Sequence, residues 1–150
     1  MKKILFLHGL ESLPGGTKPR FLKEKGYEVL NPLMPRNSFD ESCDIAQQLV
    51  IQEKPDIVIG SSRGGAVALN INVADAKLIL IAPAWTHYPV NVSSNLNGSV
   101  ILHSSNDDIV DLQDSLKLLS NGARLKVCGK DHRMSDDDCL NNLYNFIKNY

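Results

Sequence analysis

The sequence predicts an α/β protein, a three-layer sandwich of about six mostly parallel strands with helices on both faces. Two observations carry this. Short runs rich in Ile, Val and Leu recur from end to end and are continuous rather than alternating, the pattern of strands buried on both faces. Between them lie segments of helical periodicity with start and stop signals. Short connections between the two kinds of segment favour right-handed crossovers and a parallel sheet.

The strand candidates are Lys3–Leu7, Tyr27–Asn31, Asp56–Gly60, Lys77–Ala82, Ser99–His103 and Ala123–Cys128. The first run imitates the start of a signal peptide, but His8, Gly9 and Glu11 end it far short of a secretory core, so it reads as a buried strand. Ser38 with Glu41 three residues on forms a capping-box pattern before Ile45, Ala46, Leu49 and Val50, which share one helical face. The third strand runs directly into a helix-forming stretch. After the fourth, the segment from Pro83 to Gly98 is long and irregular. Asp111 caps a helix expected to bury Leu112, Leu116 and Leu119, stopped by Asn121-Gly122. Ser135 precedes Asp136, Asp137 and Asp138, whose charges suit the positive end of a final helix with Leu140, Leu143, Ile147 and Tyr150 as its buried stripe.

Composition narrows the function. A chain of 150 residues fits one domain, residues 1–150, with a continuous core. The net charge of −1 leaves no basic excess to neutralise phosphates, which argues against nucleic-acid binding. No stretch is apolar for long enough to span a membrane, and a cytoplasmic protein, monomeric or a small homo-oligomer, is expected. Cys43, Cys128 and Cys139 are odd in number and lack C-x-x-C spacing, which fits reduced thiols. Cys128, His132 and Cys139 match no zinc spacing, so neither a metal nor another cofactor is expected. Gly15-Gly16-Thr17-Lys18 is not a phosphate-binding loop, because Thr precedes Lys and the spacing from Gly9 is wrong.

The chemistry concentrates where such sheets collect it, beyond the carboxyl ends of the strands. Gly60-Ser61-Ser62-Arg63-Gly64 follows the third strand and opens a helix, which puts Ser62 at the apex of a strained strand-to-helix turn. Bulk at Gly60 or Gly64 would collide there. Asp107 lies just past the strand ending at His103, and His132 follows the last strand. A serine hydroxyl needs a base, neutral imidazole supplies one, and a carboxylate fixes its tautomer, so Ser62, His132 and Asp107 form a candidate triad. Asp108 is the weaker alternative to Asp107. The oxyanion is expected at the backbone N–H groups of Leu10 and Arg63. His8 and His103 read as structural histidines. Trp85, Tyr88 and Ser12 are candidate substrate contacts, and the Arg63 side chain is expected to pair with Glu11 or another nearby carboxylate, or else to attract an anionic substrate.

Leu7-His8-Gly9, the run Gly60 to Gly65, His103-x-x-x-Asp107-x-x-Val110 and Gly129-x-Asp131-His132 resemble, in order, the motifs of the α/β-hydrolase family, particularly its short, lid-less bacterial members. The resemblance implies a minimal α/β-hydrolase fold without a cap domain. It also implies a serine esterase acting on small carboxylic esters or thioesters through Ser62, Asp107 and His132. Many members carry a His where Ser61 stands and a Gly where Ser104 stands; neither change removes a catalytic group. The alternative is a protein-binding module that keeps the fold with weak or vestigial catalysis.

Overall fold

A computed structural model of the protein describes residues 2–150. Six parallel strands form one sheet: β1 (Lys3–Leu7), β2 (Glu28–Leu30), β3 (Ile57–Ser61), β4 (Lys77–Ile81), β5 (Val100–His103) and β6 (Arg124–Val127). The spatial order is β2-β1-β3-β4-β5-β6. Each strand lies within a residue or so of its expected position.

The helices α1 (Thr17–Glu24), α2 (Phe39–Glu53), α3 (Arg63–Leu69), α4 (Leu112–Lys117) and α5 (Asp137–Lys148) cover both faces. Alternate strand residues point to opposite sides, so each strand feeds two cores. Leu5, Leu7, Val58, Leu80 and Ile101 pack with Ala46 and Val50 of α2 and Val67 of α3. Ile4, Phe6, Ile59, Ile79 and Leu102 pack with Leu22 of α1 and with Leu143 and Ile147 of α5. No helix among the described residues is long and apolar enough to cross a membrane.

Three expectations need correction. Burial on both faces holds for β1, β3, β4 and β5 but not for the edges: β2 and β6 are exposed or half-buried, as Glu28, Arg124 and Lys126 require. Asp111 does cap α4, accepting from the Gln113 N–H at 2.9 Å, yet Leu116 and Leu119 face solvent. Asp114, Ser115 and Leu118 turn inward instead. Polar contacts fix that rotation: Asp114 takes the Trp85 indole N–H on its carbonyl and the Thr86 hydroxyl on its carboxylate, while Ser115 meets His103. In α5 Leu143 and Ile147 are buried as expected and Tyr150 packs against the same core, but Cys139 rather than Leu140 completes the inward stripe.

The turn after β3 is tightly packed. A Cβ at Gly64 would run into the Leu7 carbonyl oxygen, and one at Gly60 into the Gly64 carbonyl. Gly64→Ala is therefore expected to cost at least about 2–3 kcal/mol of stability through overpacking against backbone. Gly16→Ala, where the new methyl meets only the Leu13 carbonyl at 3.8 Å, should cost under about 1 kcal/mol. Urea midpoints of the two variants check this; equal midpoints would show that α3 does not press on β1.

Candidate active site

After β1 the chain moves outward to β2 and then returns to place β3 on the other side of β1, so the loops after β1 and β3 diverge from a topological switch point. Ser62 stands there. Its φ of 55° and ψ of −114° are unfavourable for an L-residue, at a cost of roughly 1–3 kcal/mol. Backbone bonds hold the turn: Ser62 N–H donates to the Ile81 carbonyl at 2.9 Å, and its own carbonyl accepts from Gly65 and Ala84, each at 2.9 Å. The strain lifts the side chain out of the sheet. A Cβ built at Gly9 would lie 3.3 Å from Ser62 Cβ, so the loop after β1 stands directly against the serine.

The Ser62 hydroxyl lies 2.9 Å from His132 Nε2, and His132 Nδ1 lies 2.7 Å from Asp107 Oδ2. The carboxylate cannot donate, so Nδ1 carries the proton and Nε2 accepts from the serine. The Asp107 side chain is fully buried, whereas that of His132 is 20% exposed. Burial alone would raise the Asp107 carboxyl. The Val110 N–H, the His132 ring and the Ile109 N–H outweigh it and hold the group below the ordinary carboxylate range. Both N–H groups donate to Oδ1 at 2.8 Å. Asp108 is exposed.

His132 sits on a loop fixed from several directions. Gly129 N–H donates to Asp138 Oδ2 at 2.9 Å and Lys130 N–H to Asp136 Oδ1 at 3.3 Å. Lys18 Nζ, its pKa pulled down to about 8 chiefly by burial, donates to the Arg133 carbonyl at 2.6 Å. The Ser104 hydroxyl donates to the Gly129 carbonyl at 3.0 Å, tying the loop after β5 to the loop that carries His132. Sequence reasoning took the acidic triplet only as a helix start and Ser104 only as a departure from a glycine.

His8 Nδ1–H donates to the Gly9 carbonyl at 2.7 Å and Nε2 accepts from Met34 N–H at 3.0 Å, bracing the loops after β1 and β2. Gly9 to Ser12 form a turn closed by a 3.2 Å bond, with Leu10 half-buried and Ser12 exposed. Neither Leu10 N–H nor Arg63 N–H donates within the chain among the described residues. The Arg63 side chain departs from both expectations. It is buried and donates to Ser42 Oγ at 3.1 Å and the Pro35 carbonyl at 2.8 Å, while its guanidinium lies over the stacked rings of Phe39 and Tyr88. Glu11 pairs with Arg36 instead, at 3.2 Å. Tyr88 thus belongs to that aromatic cluster, and Trp85 is half-buried against the core with its indole N–H held by Asp114. Leu13, Leu33 and Ile109, in loops following β1, β2 and β5, are 69%, 61% and 61% exposed.

Two cavities, of about 950 and 560 Å³, lie at the opposite end of the sheet, lined among others by Pro55, Asn72 and Lys77. The serine turn carries the chemical constellation and they do not.

A proposed hydrolase of the alpha/beta superfamily from Xanthomonas campestris superposes with a TM-score of 0.76 at 18% identity, with 100% of each chain covered. The chain has the α/β-hydrolase fold. A proposed hydrolase from Agrobacterium vitis gives a TM-score of 0.78 at 18% identity, covering 99% of this chain and 87% of that one. Another Xanthomonas campestris protein, described as an a/b serine hydrolase without lid, gives 0.69 at 20% identity, covering 98% and 81%. No protein-family model matches the sequence, and no curated protein does. Among the described residues, no cap is inserted between the strands and helices of this α/β-hydrolase fold.

Proposed function

We propose that the protein is a cytoplasmic serine hydrolase that cleaves small carboxylic esters or thioesters through an acyl-serine intermediate. The observation that carries this reading is the hydrogen-bonded series from the Ser62 hydroxyl through His132 to the buried Asp107, at 2.9 and 2.7 Å. Ser62 Oγ attacks the acyl carbon as His132 Nε2 takes its proton, and Asp107 stabilises the imidazolium that forms. The tetrahedral oxyanion is met by the N–H groups of Leu10 and Arg63. His132 then protonates the leaving alcohol or thiol. Water, deprotonated by the same imidazole, releases the acid and restores the serine. The exposed Leu13, Leu33 and Ile109 favour apolar over charged groups on the substrate.

The test is a panel of p-nitrophenyl esters of increasing acyl length, with thioesters and peptides beside them. Imidazole works as the base only when neutral, so kcat/KM should rise with pH and level off once the ring is deprotonated. Prolonged EDTA treatment should leave the rate intact. Hydrolysis that survives His132→Ala, or that disappears with EDTA and returns with zinc, would overturn the mechanism.

A further inference from the structure

Asp107 Oδ2 receives a second imidazole. His103 Nε2 lies 3.1 Å from that oxygen and 3.1 Å from the Val110 carbonyl oxygen. Both partners are acceptors, so Nε2 must carry the proton. His103 Nδ1 then accepts from the Ser115 hydroxyl at 2.6 Å. His103 and Ser115 have no exposed surface. The result is a buried Ser115–His103–Asp107 series that mirrors Ser62–His132–Asp107 and shares its carboxylate.

Nothing about this second series can meet a substrate. What it controls is the carboxylate. With Ile109 and Val110 N–H on Oδ1 and two imidazoles on Oδ2, all four donors around Asp107 are in place, and rotation of the carboxylate would break the His103 bond. Ser115 completes the arrangement by occupying Nδ1, which leaves Nε2 as the protonated nitrogen. The polar inward face of α4 acquires a purpose here: it delivers Ser115 to His103.

We propose that His103 is a positioning residue for hydrolysis: held in its Nε2–H tautomer by Ser115, it fixes the Asp107 oxygen that orients His132. This rests on the serine-hydrolase reading. His103→Phe should lower kcat by about 10- to 100-fold while KM stays within about threefold, because the loss falls on the reacting geometry rather than on binding. His103→Gln, whose amide N–H₂ reaches the Nε2 position, should recover most of the rate. Ser115→Ala should lower kcat several-fold. In an Asp107→Asn background, His103→Phe should change kcat by less than about threefold, since there is no carboxylate left to aim.

Equal losses in His103→Phe and His103→Gln, or a His103→Phe loss that persists undiminished beside Asp107→Asn, would overturn the proposal. Should His103→Phe fail to fold, the Gln and Ser115→Ala variants still decide it: wild-type kcat in Ser115→Ala together with a large loss in His103→Gln would count against it. The ring tautomer is read separately from ¹⁵N shifts of the histidines in the wild-type protein. Nδ1–H at His103 would refute the proposal whether or not any ester is turned over. Nε2–H at His103 in a protein that hydrolyses nothing would instead count against the hydrolase reading alone.

Discussion

Ser62→Ala is expected to lower kcat for the best ester of the panel by about 10⁴- to 10⁶-fold, with the residue of activity supplied by the oxyanion donors. The size of the effect follows from geometry. Without Oγ there is no atom 2.9 Å from His132 Nε2 to be activated, and the neighbouring Ser61 belongs to β3, where its side chain is set by the strand. A fluorophosphonate should modify the wild-type protein at Ser62 and leave Ser62→Ala unmodified. The variant should fold, because alanine is smaller than serine, although it inherits the positive φ of 55°. Labelling that moves to Ser61, or turnover within tenfold of wild type, would remove Ser62 from the nucleophile's role.

Asp107→Asn should be nearly as severe, about 10⁴-fold in kcat, since a neutral amide neither stabilises imidazolium nor enforces the productive tautomer. Asp108→Asn should stay within a few-fold, its side chain being exposed and outside the hydrogen-bond series. The reverse pattern would transfer the role to Asp108. The same substitution carries a stability signature. The Asp107 carboxyl lies below its ordinary range in the folded protein: burial opposes the shift, and the Val110 N–H, the His132 ring and the Ile109 N–H overcome it. The stability that Asp107 contributes is therefore present above its unfolded pKa, about 3.9, and is lost as pH falls through the lower folded value. In Asp107→Asn that part of the acid-induced loss should disappear, which urea titrations below about pH 4 would detect.

Much of this was legible in the sequence because the decisive signals are local. Strands such as Ile57–Ser61 are continuous apolar runs, the serine turn needs glycine where two backbones touch, and Ser38 accepts from Glu41 N–H as its pattern requires. The failures share a physical origin. The face α4 turns inward is set by what Asp114 and Ser115 bind, not by its leucines, and hydrophobic spacing carries no information about a partner on another element. The Arg63 guanidinium finds a hydroxyl, a carbonyl and two rings rather than a carboxylate, all on segments far from it in sequence. Helix α1 announced no start, because Gly16 at its N-cap offers no side-chain acceptor. The role of Ser104 depends equally on a contact with Gly129, 25 residues away, whereas Asp136 and Asp138 reach back six and nine residues from the start of α5, farther than a capping pattern reads.

The strand order has a consequence for synthesis of the chain. From β3 onward each new strand adds to the growing edge of the sheet, so a nascent chain can extend the sheet one strand at a time as it leaves the ribosome. Ser62 and His132 are 70 residues apart. The serine turn can therefore be complete while His132 is still untranslated; on the proposed mechanism, an acyl donor that reaches it then meets a hydroxyl with no base. On the same mechanism, a chain stalled before β6 would lack both the base and helix α5, whose Leu143 and Ile147 cover one face of the central strands, and would be chemically silent.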